Sequence, residues 1–376
     1  MIEIQYLEST ENLKRNIARS QGWKPSGEQA TAIAACLRQG RLFLESAKIA
    51  PLEIRPLQLY YGITAYAKAL VLAKNRKLRL DCLPHSHGIR DVSAPNARLE
   101  NLKIAIEDRG AFQNFNDCAA TLNFFKVLRI GADEPKFRFD LAKSGEIAGI
   151  RLTLKEIMSR ILNVGDLYTA TFDERANVDH VRVTDSLSRQ EWFVDVTDPK
   201  PYKNIGDLIQ MIEVARIRMP FLRRWSFVSA SIKLGKTDIS FQNTLPLDPK
   251  IVAMHLIEEF GQISCNLDRS SDEYFQDIEA NLGTFVSGFW RYAPIYIQPI
   301  EGKYFSELSL SFLALHLLSS LVRYRPATWM HALSRSSNEK RTADDAMLAL
   351  LEAFMEDVQS AVPRFVTDVL SLGLMA

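Results

Sequence analysis

Cysteine is scarce in this chain of 376 residues: Cys36, Cys82, Cys118 and Cys265 lie far apart and form no CxxC pair. That spacing offers neither a disulfide framework nor a structural zinc set, and it reads as reduced thiols. An excess of one charge is also lacking. The 46 Lys and Arg residues stand against 45 Asp and Glu, a net charge of +1, so the bulk attraction behind non-specific nucleic-acid binding is missing. No run is apolar and long enough to suggest a membrane span. The most apolar stretch, Leu308 to Val322 (LSLSFLALHLLSSLV), holds His316 and four serines and falls short of the roughly 20 apolar residues a bilayer requires. It reads as a buried helix, and no membrane association is expected. The opening MIEIQYLESTENLKRNIARS places acids where an export signal has a basic start and an apolar run, so a cytoplasmic location is expected. There is no GxSxG, HExxH or dinucleotide-binding glycine fingerprint, which withdraws support from the common hydrolase, metalloprotease and NAD-binding classes. No cofactor is implied.

What is present is an average globular composition: 47% hydrophobic, 10% aromatic and 24% charged residues, enough for a full core. Ala30 to Ala47 and Leu57 to Ala73 repeat apolar residues at three- and four-residue spacing and predict two helices, with Pro51 and Pro56 bracketing the turn. A loop rich in Pro, Gly, Ser and Asn follows (LPHSHGIRDVSAPN). From about residue 100 the period changes. Alternation at Leu102, Ile104 and Ile106 predicts a strand, Phe137 to Phe139 continues in that style, and Leu152 to Leu162 predicts a helix. Leu167 to Phe172, Val178 to Val183 and Glu191 to Val196 read as strands, Ile205 to Ile217 as a helix, and Trp225 to Ile232 with Thr237 to Phe241 as a hairpin. Helices return at Ile251 to Phe260, Ser306 to Tyr324, Ala343 to Val358 and Arg364 to Leu372. Helices, strands, then helices predict an α+β fold whose terminal helical blocks pack together around a β-rich middle lobe. The expected divisions are 1–95, 96–245 and 246–376.

Three segments carry a family resemblance: Tyr60-Tyr61-Gly62-Ile63-Thr64-Ala65-Tyr66-Ala67-Lys68-Ala69-Leu70, then His87-Gly88-Ile89, and finally Leu321-Val322-Arg323-Tyr324-Arg325-Pro326 with Trp329. In order and spacing the chain resembles the YaaC-like family of bacterial proteins over most of its length. The resemblance implies a cytosolic bacterial protein, in some genomes encoded beside purine-biosynthesis genes, and it transfers no catalytic residue.

Candidate chemistry centres on these segments. Tyr61, Thr64 and Lys68 share one helix face. Arg323 and Arg325 end an apolar helix, where cations favour the macrodipole and where guanidinium forks suit phosphate or carboxylate. If the terminal blocks pack together, Tyr61, Lys68, His87, Arg323 and Arg325 are expected to line an anion or purine-nucleotide site in a regulatory or interaction protein with a protein partner. A different class stays open. An Arg followed by four to six residues and a His is the spacing of the HEPN ribonucleases, toxins or phage-defence effectors acting on RNA, and Arg79 to His85 fits it best. Arg175 to His180 and Arg325 to His331 fit it too, so the signal has little specificity. An enzyme and a binding protein are therefore both open on sequence alone. Leu234-Gly235-Lys236-Thr237 looks like the end of a P-loop, but Ala230 occupies the first glycine's position and no helix follows, so a hairpin turn is expected. Arg216 to Trp225 interleaves basic and aromatic residues and reads as a helix end leading into a strand, with a nucleic-acid surface as the alternative. His85 and His87 lack further ligands, and no metal site is expected.

Overall fold

A computed structural model describes residues 4–120, 125–129, 136–138, 146–186, 191–219, 222–223, 225–242, 254–257, 262–265, 285–287, 294–303, 305–334 and 345–371. The chain forms an α+β protein of two compact units. One comprises Met1–Leu122, Lys143–Val178 and Pro299–Ala376, and the other Asn123–Ala142 and Asp179–Gln298.

The first unit is built on a helical hairpin. The Gly27–Ile49 helix starts at Ser26, whose hydroxyl accepts from the Gln29 amide, and the Arg55–Lys74 helix starts with Pro56 in its first turn. Both devices settle backbone groups that a helix start otherwise leaves open. Two glycines let these helices approach closely. A Cβ on Gly62 would overlap the Leu44 side chain, and one on Gly40 would stand 2.8 Å from the Tyr66 ring. Against the hairpin packs the Glu307–Tyr324 helix, capped by Ser306 and buried along its whole course from Glu307 to Leu321. A helix apolar on all sides must be enclosed, and this one is surrounded by the elements of its own unit. The N-terminal and C-terminal helices therefore meet, as the order helices, strands, helices predicts.

The Asp345–Ser371 helix also packs on the hairpin. The sequence predicts two helices here, broken before Arg364, but the structure has one that runs through Pro363. Met355, Val358, Val362 and Val366 are all buried, and packing on both sides of the proline outweighs the lost backbone bond. A three-stranded antiparallel sheet completes the unit: Ile89–Asp91, Lys103–Ile106 and Arg151–Thr153, with Ile89 opposite Ile106 and Lys103 opposite Thr153. Thr153 and Glu156 form a reciprocal capping box for the Leu154–Met158 helix. That helix is shorter than predicted, because Leu152 belongs to the strand and Leu162–Val164 is a 3-10 turn. Leu167 to Phe172, predicted as a strand, lies instead in the Gly165–Phe172 helix, which ends at Asp173 in the left-handed region. Its apolar residues Tyr168 and Phe172 are four apart and their rings meet at 4.9 Å, a helical repeat hidden by Thr169 and Thr171.

In the second unit a sheet orders its strands as Met254–Ile257, Gln262–Cys265, Ser226–Lys233, Lys236–Gln242, Glu191–Asp198, Val178–Ser186, Pro294–Ile297 and Phe285–Ser287. Phe125–Arg129 joins Val178–Ser186 in parallel and pairs with Lys136–Arg138. Val194, Val196, Phe227, Ile239 and Phe241 form a core with Leu208, Ile212 and Ala215 of the Ile205–Arg218 helix. The turn between Ser226–Lys233 and Lys236–Gln242 is Leu234-Gly235, both at positive φ. This matches the twist of a two-residue hairpin and makes Leu234 to Thr237 a turn. The helix predicted for Ile251 to Phe260 is corrected at its centre, where Met254–Ile257 is a strand opposite Gln262–Cys265; the rest of that segment lies outside the described residues. The second half of the basic stretch, Pro220, Phe221 and Arg224, also lies outside them. Within the part described, Arg218 pairs with the buried Asp179 at 2.8 Å and Arg216 pairs with Glu213 at 3.1 Å.

Candidate functional site

His87 is positioned by two glycines. Gly88 has φ +71° and Gly110 has φ +149°, and a Cβ on Gly88 would fall 2.8 Å from the Gly110 Cα. Only residues without Cβ let the two backbones meet so closely. The contact is pinned by amides: Ala111 donates to the Ser86 carbonyl at 2.9 Å, Phe112 to that of His87 at 3.0 Å, and Glu107 to that of Gly88 at 2.9 Å. The loop is thereby fixed to the start of the Ala111–Ala120 helix with the His87 side chain turned toward Tyr60.

Tyr60 is fully buried in the Arg55–Lys74 helix. Its hydroxyl lies 2.9 Å from His87 Nδ1 and 3.1 Å from His316 Nδ1. The three rings stand edge to face, with His87 and His316 centroids 5.6 Å apart, and Phe312 backs Tyr60 at 5.5 Å. One hydroxyl carries one proton. Tyr60 therefore donates to one imidazole and accepts from the other, which makes the two histidines opposite tautomers while both are neutral.

The electrostatics favour neutrality. Burial, then the neighbouring His87 and the Arg323 charge, push His316 down to about 3, with Asp91 opposing. Burial, then Arg323 and Lys68, hold His87 below the usual histidine range. Burial likewise raises Tyr60, so its hydroxyl keeps its proton. The Arg323 guanidinium lies between two aromatic rings, 5.7 Å from the centroid of Tyr60 and 4.9 Å from that of Tyr324. Its hydrogen bonds, to the Ser319 carbonyl and hydroxyl and to the Tyr324 hydroxyl, are all 3.4 Å long. It has no carboxylate partner among the described residues. Lys68, two turns along the helix from Tyr60 and exposed, has none either.

Arg325 differs. It forms an ion pair with Asp91, both side chains at least four-fifths buried, and donates to the Ala94 carbonyl at 3.3 Å. Burial alone would raise the Asp91 carboxyl, but hydrogen bonds from Ser93 and Arg325 outweigh it and hold the group low. Arg325 is thus already neutralised. Trp329 is buried and donates to the Glu53 carbonyl at 3.1 Å, tying the Pro326–Leu333 helix to the turn of the hairpin. Tyr61 is 40% exposed and its ring packs on Phe43 at 5.4 Å.

Of the five residues expected to line an anion site, the structure brings His87 and Arg323 to Tyr60, places Lys68 two turns further along the helix where its charge still bears on His87, leaves Tyr61 at the surface, and engages Arg325 with Asp91. Arg79 is exposed and pairs with Glu28 at 3.2 Å and Asp81 at 3.3 Å. No hydrogen bond joins it to His85, which is also exposed. His331 is exposed as well, on the Pro326–Leu333 helix beyond the Asp91-bound Arg325. Sequence reasoning omitted His316 and the role of Tyr60. A lone histidine within the predominantly apolar run Leu308 to Val322 is the available signal, since an imidazole buried there requires a partner. No group of three or more His, Cys, Asp or Glu able to hold a metal occurs among the described residues.

A sequence profile of the family described as YaaC-like Protein matches residues 4–370, nearly the whole chain. The chain belongs to the YaaC-like family. No curated protein and no solved structure matches it. In this YaaC-like protein the matched region includes every residue of the Tyr60 cluster, and no helix among the described residues is long and apolar enough to cross a membrane.

Proposed function

We propose that this YaaC-like protein is a regulatory or interaction protein that senses a phosphate-bearing ligand, with a purine nucleotide as the leading candidate, at Arg323, Lys68 and His87. The observation that supports this reading is the state of Arg323. It is half-buried, oriented by two aromatic faces and without a carboxylate, whereas Arg325 two residues away is paired with Asp91. A guanidinium held in place by rings while its hydrogen-bonding edge makes only long contacts is prepared for an anion. Tyr324, 70% exposed, adds an aromatic face on which a base can stack.

Thermal unfolding with AMP, GMP or sulfate tests the reading. The wild type should gain about 2 °C or more at a hundredfold excess over Kd, and Arg323→Ala should gain nothing. No shift in either protein removes the proposal. The alternative, a ribonuclease centred on Arg79 and His85, rests on spacing alone. RNA degradation that disappears in both Arg79→Ala and His85→Ala would put it in place of the binding reading.

A further inference from the structure

We infer that the group recognised is a terminal phosphate, a phosphomonoester dianion, held by Arg323, Lys68 and the Nε2–H of a His87 that takes up a proton as the ligand binds. This rests on the anion-binding reading above and adds to it the ligand's charge class and a proton.

His87 offers one free position. Its Nδ1 is bound to Tyr60, and its Nε2 has no hydrogen-bond partner among the described residues. The titratable and charged groups facing the imidazole are Tyr60 and Lys68 from one helix and His316 and Arg323 from another, with Asp91 one step beyond. Partial burial, then the Arg323 and Lys68 charges, favour neutral His87. A dianion bound by Arg323 and Lys68 cancels both charges that hold His87 low, and an anionic oxygen accepting from its Nε2–H favours imidazolium. A diester or a carboxylate brings a single charge and leaves one cation uncompensated, so it provides much less of this effect.

The hydrogen-bond chain accommodates the proton in one way. An imidazolium donates from both nitrogens, so Nδ1–H of His87 must point to the Tyr60 oxygen. The Tyr60 hydroxyl then donates to His316 Nδ1, which accepts it as the neutral Nε2–H tautomer. The buried histidine stays uncharged, the half-buried one at the site takes the charge, and no polar atom in the chain of three loses its partner. The His87 Nε2–H is then a third cationic donor beside Arg323 and Lys68.

Calorimetric titration at pH 7.5 in two buffers of different ionisation heat separates the outcomes. The probes are AMP, predominantly the dianion at this pH; sulfate, a dianion with no proton of its own to exchange; and 3′,5′-cyclic AMP, a diester. AMP should bind at least ~10-fold tighter than cyclic AMP, a difference of about 1.4 kcal/mol, and both AMP and sulfate should draw protons from the buffer. His87→Asn keeps an amide to meet Tyr60 but cannot titrate, so proton uptake should vanish and the preference for AMP should shrink. Lys68→Met, at an exposed position, should weaken AMP about 10-fold and carries the test if His87→Asn does not fold. AMP and cyclic AMP binding equally with no proton uptake would overturn the inference while leaving an anion site. Uptake undiminished in His87→Asn would overturn it too. No binding of any probe would remove the anion site itself.

Discussion

His316 shows how a single side chain becomes a stability element. It is held neutral with a folded value near 3 against 6.5 for the free group. A histidine with a depressed folded value contributes stability that is complete above the unfolded value, because only the unfolded chain binds the proton below it. That stability is lost as pH falls from about 6.5 toward 3. Over this window the wild type should lose up to a few kcal/mol more than His316→Gln, read as a steeper fall of the urea midpoint between pH 6.5 and 4.5. Equal slopes in the two proteins would show that His316 charges freely in the fold. Arg325 argues in the other direction. Removing it leaves Asp91 partly buried without its cation, and Arg325→Ala should cost about 1 to 3 kcal/mol. Arg325→Ala should therefore lower stability at neutral pH, whereas Arg323→Ala, which breaks no ion pair, should chiefly abolish ligand response. Neither role can be read from Arg323-Tyr324-Arg325-Pro326 as a string, because what separates the two arginines is Asp91, more than two hundred residues away in the chain.

At the scale of the element, two of the three family-like segments each contain a glycine at a close approach. Gly62 in the Tyr60–Leu70 segment meets Leu44 of the neighbouring helix, and Gly88 beside His87 meets Gly110. Gly62→Ala should destabilise by about 1 to 3 kcal/mol through overpacking of the hairpin, seen as a lower urea midpoint with an unchanged denaturant slope. Gly88→Ala should cost at least as much, because its φ is positive and the new methyl meets the backbone of Gly110 and Arg109 as well as the Gln113 side chain. The helices that apolar spacing reveals are those whose buried face is distinct, such as Gly27–Ile49. Leu167 to Phe172 misleads because alternating threonines imitate a strand while Tyr168 and Phe172 keep the helical repeat. Pro363 misleads because a proline reads as a break, and only tertiary packing shows that the helix continues.

At the scale of the whole molecule, the cluster is assembled from the two ends of the chain within one unit: Tyr60, Lys68 and His87 near the start, His316 and Arg323 near the end, with Tyr60 and His316 separated by 256 positions. The α+β plan is legible from periodicity, and the meeting of the terminal helices from the order of the elements along the chain. The identity of the contact is not, since Tyr60 and His316 each sit in an apolar helix and resemble ordinary core residues until their hydroxyl and ring nitrogens meet. This placement makes a spatial prediction. A phosphomonoester bound at Arg323 and Lys68 should slow amide hydrogen exchange in Arg55–Lys74, in the His87–Gly110 contact and in Glu307–Tyr324. It should leave the strands Ser226–Lys233 and Lys236–Gln242 of the other unit unchanged, because ligand binding stabilises first the local openings that would break the site. The extra protection should disappear in Arg323→Ala. If the strands of the second unit gain as much protection as the helices of the first, the ligand is held somewhere other than the Tyr60 cluster, and the unpaired arginine is a feature of packing alone.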